Sequence, residues 1–149
     1  MQHNRRLSAL LLAVALGAGA CGAQGETLGE ASNSSFHVKP IAGTSLNEVT
    51  LSAAGYQRVG IVMVSARPAS GTRAAGLTMV PDSAVWYDAV GRTWVYVLAG
   101  PRTFVRKPVV VARYSGTLAV LSKGLAAGTA VVKVGTAELY GAEQGVPGE

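Results

Sequence analysis

The chain has 149 residues, of which 49% are hydrophobic and 14% charged, with a mean hydropathy of +0.31. That is enough for one ordinary domain and too apolar for a wholly disordered polar chain. Nineteen glycines and six prolines, with valines in short runs, favour many turns and short strands. One cysteine, Cys21, excludes an internal disulfide and a cysteine-based zinc site.

Residues 1–20 have the layout of an export signal: Arg5 and Arg6 form a basic head, Leu7 to Ala20 an apolar run, and Gly19 and Ala20 a small-residue end. A membrane-spanning helix needs roughly 20 apolar residues, so this run is expected to be removed rather than to stay as an anchor. Small residues directly before a lone cysteine resemble the lipobox of bacterial lipoproteins, although Ala18 stands where leucine is usual. The resemblance implies that Cys21 is lipidated and anchors the chain to the outer face of the cell membrane. Gly17, Gly19 and Gly22 also match GxGxxG, but no strand precedes them and no helix follows, which excludes a dinucleotide site. Cleavage at Cys21 removes two arginines and leaves 11 basic residues against 8 acidic, a formal charge of +3. No basic helix or aromatic-plus-basic motif stands out, so nucleic-acid binding is not expected.

Residues 21–45 are rich in Gly, Ala, Ser, Asn and Thr and read as a flexible tether, with His37 as a solvated histidine and no metal ligand. In residues 46–66, Val49 and Leu51 alternate with Thr50, Ser52 caps a short helical turn through about Arg58, and Val59 to Val64 reads as a buried strand. Residues 67–76 form a linker rich in turn formers.

The segment 77–141 is strongly β-like. Leu77 to Val80 is a strand stopped by Pro81, and Val85 to Tyr87 and Thr93 to Leu98 flank a hairpin loop, Asp88 to Arg92, in which Gly91 suits a positive φ. Alternation puts Trp94 and Tyr96 on one face and Val95 and Val97 on the other, with Trp86 placed to pair across the hairpin. Thr103 to Val111 is a strand that Pro108 confines to an edge or a bulge. Thr117 to Leu121 and Ala130 to Val134 are further strands, Gly135 to Tyr140 is a short helical or turn segment, and residues 142–149 are a disordered tail. The expected fold is mainly β: six or seven short strands in a small barrel or sandwich.

The order VPDSAVWYDAVGRTWVYVL, FVRKPVVVARYSGTLAVLSKGLAAGTAVVKVG, TAELYGAEQG, from Met79 to Gly145, resembles the membrane-proximal region of periplasmic adaptor proteins. These adaptors, also called membrane fusion proteins, belong to efflux systems of the resistance-nodulation-division type and to some ABC exporters. The family's Gly-Leu-x-x-Gly-x-x-Val-Val turn is matched by Gly124, Leu125, Gly128, Val131 and Val132. Earlier, VTLSAAGYQRVGIVMVSAR resembles the phrase that opens the adaptor β-barrel domain. No heptad pattern for a long helical hairpin accompanies them. The resemblance implies a reduced, lipid-tethered adaptor module that docks on a membrane permease and supports export. Self-association is left open, and no cofactor or metal is carried over: Met63 and Met79 stand alone and read as core.

Catalysis finds no support. The mature chain offers one histidine as a base, and Asp82 and Asp88 flank turns whose backbone they are suited to bond. Trp86, Trp94, Tyr96, Phe104, Arg102 and Arg106 are candidates for a protein-facing surface, with core packing as the favoured reading of Trp86, Trp94 and Phe104. Arg102, in the turn before it, and Arg106 and Lys107, on an irregular edge strand, are the expected partner interface, with edge protection by charge as the alternative for Arg106 and Lys107. A small cell-surface lipoprotein binding a cell-wall glycan or small molecule is the competing function, which tryptophans exposed side by side would favour.

Overall fold

The structure is a computed structural model that describes residues 34–71 and 76–145. Cys21, the signal segment, residues 21–33 of the expected tether and the last four residues of the expected tail lie outside the described residues. The fold is mainly β, with two antiparallel sheets and no closed barrel, so it is sandwich-like.

In chain order the elements are β1 (Phe36–Pro40), β2 (Asn47–Leu51), α1 (Ala53–Val59), β3 (Val62–Ser65), β4 (Arg67–Pro68) and β5 (Thr78–Pro81). A 3₁₀ turn (Asp82–Ala84) leads to β6 (Trp86–Tyr87), β7 (Thr93–Gly100), β8 (Thr103–Pro108), β9 (Val110–Ser115), β10 (Leu118–Lys123), β11 (Ala130–Val134) and α2 (Thr136–Glu143). The larger sheet runs β1-β2-β8-β7-β11-β3, with β6 paired to β7, and the smaller runs β4-β5-β10-β9.

Strand β7 organises the packing. Its period-2 alternation sends Val95 and Val97 into a core shared with Val80, Ala119, Leu121 and Val131, which joins the two sheets. Tyr96 faces the other way, into a second core with Val49, Phe104, Leu139 and Ala142, where α2 covers the larger sheet. The central strands of that sheet are therefore buried on both faces, which accounts for the valine runs of β7 and β11.

Local chemistry sets the boundaries. The Ser52 hydroxyl accepts from Gly55 N at 3.0 Å and starts α1, and Gly60, at φ +65°, ends it in the left-handed conformation. The strand expected over Val59 to Val64 thus begins only at Val62. It lies at the sheet edge, which leaves the Val62 side chain exposed.

Four further expectations change. The tether range contains β1, whose Phe36 and Val38 stand across from Leu51 and Val49; an edge strand needs main-chain bonds on one side only, so a polar composition did not prevent it. The segments 46–66 and 77–141 interleave, since β2 pairs with β8 and β3 with β11. The strand expected over Thr103 to Val111 is two strands, because the chain changes sheets after Pro108. There Val109 N donates to Thr93 O at 3.0 Å, and the Thr93 hydroxyl donates to Val109 O at 2.7 Å. The helical segment also runs on to Glu143, inside the expected tail, because Ala142 and Glu143 are buried against the sheet.

Candidate functional site

The β6–β7 hairpin is built around one carboxylate. Asp88 accepts from Val90 N at 3.1 Å, Arg92 N at 2.8 Å, Arg92 Nε at 2.6 Å and Trp94 Nε1 at 3.1 Å. Partial desolvation pushes its carboxyl up, but these hydrogen bonds outweigh it and hold the group down at about 2. Gly91, at φ +79°, closes the loop, and Trp86 stands across from Trp94, one of the two residues on the face expected from the sequence to meet it.

Beneath the hairpin lies a charged cluster that the sequence did not disclose. Arg106 stands across from Tyr96, so it shares that residue's inward face under α2 and is only 9% exposed. Arg106 Nη2 donates to Glu143 Oε1 at 3.2 Å, and the Tyr96 hydroxyl donates to Glu143 Oε2 at 2.6 Å. The Arg106 guanidinium lies 4.5 Å from the Trp94 ring centroid and 5.5 Å from that of Tyr140. Burial, then the bond to Glu143, pushes the Tyr96 hydroxyl far above the usual phenol range, with Arg106 pulling the other way. Tyr96 is therefore a fixed donor. Trp86 packs on Tyr140 with ring centroids 4.9 Å apart.

The three expected interface cations do not form one patch. Arg106 points inward and is paired. Arg102 is exposed in the β7–β8 turn, at φ +52°, with Nε donating to Leu51 O at 3.2 Å. Lys107 is exposed near the other end of β8, across from Val95. His37 is exposed on β1, Met63 packs against the helix-side core, and Met79 is partly buried on β5. Among the described residues no three His, Cys, Asp or Glu side chains are grouped to hold a metal ion, and no helix is long and apolar enough to cross a membrane.

Two features mark the hairpin's neighbourhood as the candidate site. A groove of about 720 Å³ runs between Tyr87 and Gly91–Trp94 on one side and the chain from Pro108 to Tyr114 on the other. The Tyr87 and Tyr114 hydroxyls are hydrogen-bonded to each other between β6 and β9, although the two residues are 51% and 47% exposed. Desolvation and then the bond to Tyr87 push the Tyr114 hydroxyl up to about 12. The same tyrosines, with Asp82 and Ser83, line a smaller hollow.

Sequence reasoning missed Glu143 and the tyrosine bridge. Glu143 had a signal: it stands four residues after Leu139 and next to Ala142, on the apolar side of a helix, and an inward arginine two residues after Phe104 calls for a buried anion. The bridge had none, because it joins residues 27 apart through a change of sheet. Comparison with protein families, with curated proteins and with solved structures finds no match to this chain.

Proposed function

We propose that this chain is a lipid-anchored, non-catalytic adaptor module, tethered through Cys21, that docks on a membrane permease of the resistance-nodulation-division or ABC type and supports export. The observation that carries the reading is the ordered run from Met79 to Gly145 that resembles the membrane-proximal region of periplasmic adaptors. Its pieces occupy neighbouring elements from β5 to α2, and the Gly124-to-Val132 motif forms the turn between β10 and β11. That turn is sterically specified: Gly124 has φ +111°, and a Cβ there would lie 2.8 Å from Val109 Cα, at the point where the chain changes sheets.

The competing glycan-binding reading called for tryptophans side by side at the surface. Trp94 is buried and Trp86 half-buried, with the Trp94 indole spent on Asp88. Two experiments test the adaptor reading. Metabolic labelling with an alkyne fatty acid should mark the wild-type chain and spare Cys21→Ser. Affinity purification of the lipidated chain after membrane cross-linking should recover an intact transporter permease. A chain that is never acylated, or a purification repeatedly free of any transporter, would overturn it.

A further inference from the structure

We propose that the groove beside β9 is a binding slot for an extended peptide segment with alternating apolar and acidic side chains, captured as an added strand. β9 is the last strand of the smaller sheet: it pairs with β10 on one side and, among the described residues, with no strand on the other. The groove is lined by seven consecutive residues, Pro108 to Tyr114, which is the mark of a slot that follows a strand edge; Val109 is already bonded to Thr93, so the open edge runs from Val110 to Tyr114. A free edge offers main-chain donors and acceptors that a second extended chain can satisfy.

Two properties turn this edge from a general hazard into a selective site. Ala112 is an extra residue between the partners of Val120 and Leu121, and such a bulge discourages indiscriminate sheet-to-sheet pairing. The opposite wall, Gly91 to Thr93, is held by the Asp88 carboxylate, so the slot has two sides and admits a single extended segment more readily than the edge of another folded sheet. The Tyr87–Tyr114 bridge links the same two walls.

Charge and polarity name the occupant. Arg92 and Arg113 both line the groove; the Arg92 side chain is 68% exposed beside an Asp88 that is 8% exposed, and Arg113 has no ion-pair partner among the described residues. Val110 and Tyr114 supply exposed apolar surface between and beside them. Arg113 stands across from Val120 and Tyr114 across from Ala119, on opposite faces of β9, so alternate side chains of an added strand meet the Arg113 guanidinium on one face and the Tyr114 ring on the other.

This inference does not rest on the transporter reading, and its test contains no transporter. A dye-labelled, capped hexapeptide of alternating valine and glutamate is titrated against the full chain in detergent, with anisotropy as the readout. Saturable binding is expected, weakened about fivefold or more when the glutamates are replaced by lysine and when the protein carries Arg113→Glu. N-methylation of one alternate set of peptide amides should abolish binding, while methylation of the other set leaves it, because only one set faces the strand. Absence of saturable binding would overturn the proposal. So would binding indifferent to which amides are methylated, or equal affinity for the lysine peptide.

Discussion

Replacing Arg106 by leucine tests whether the cluster beneath the hairpin is a closed ionic unit. The Glu143 side chain has no solvent exposure and that of Arg106 about 10%, so the substitution leaves a carboxylate with the Tyr96 hydroxyl, at 2.6 Å, as its side-chain donor. Stranding one member of a buried ion pair costs about 3–5 kcal/mol. Against a total stability of about 5–15 kcal/mol for a domain, that loss is large enough to read directly from urea unfolding followed by tryptophan fluorescence. Glu143→Leu should cost less, because the remaining guanidinium keeps the Trp94 and Tyr140 rings and some access to water. Combining Tyr96→Phe, Arg106→Leu and Glu143→Leu removes every charged or orphaned partner and should recover to within about 2 kcal/mol of the native chain. The reasoning fails if Arg106→Leu costs under about 1 kcal/mol, or if the triple replacement is as unstable as that single one.

Four further outcomes are expected. Asp88 has a folded-state pKa below its usual 3.8, so its contribution is present above that value and disappears as pH falls through about 2; acid unfolding curves of the native chain and Asp88→Asn should therefore converge at the acid end. Tyr114 has a folded-state pKa above its usual 10.0, so its contribution is complete below pH 10 and is lost as pH rises through about 12. Tyr114→Phe should accordingly flatten stability against pH in that alkaline window, measured by thermal melts. Gly124→Ala places a Cβ against Pro108 and Val109 in a left-handed conformation and should cost about 2 kcal/mol or more by urea unfolding, while Ser52→Ala, which removes only the α1 cap, should cost about 1 kcal/mol.

What the sequence disclosed was local. Alternation in Trp94–Val97, the loop chemistry of Asp88 to Arg92 and the cap at Ser52 each act over a few residues, and each recurs in the structure. The missed features depend on tertiary pairing. β1 carries no strong apolar pattern and gains order by bonding to β2 and by packing Phe36 against the helix-side core; the division of β8 from β9 follows from Thr93 meeting Val109, 16 positions away. Arg106 looked like surface charge because one arginine on a strand can face either way. The residue that decides its direction, Glu143, is 37 positions off on a helix that closes over the sheet. The larger sheet's double burial likewise concealed which face of each valine run met which core.

The alternation in β7 makes that strand a partition between two hydrophobic chambers that share no side chain. A one-residue slip of the whole strand against its neighbours would exchange the occupants of both at once, driving indole and phenol rings into the space sized for Val95 and Val97 while taking the Tyr96 hydroxyl from the Arg106–Glu143 pair. Sequence drift can therefore proceed separately on either side of the partition, but its register is common property and tolerates no slip.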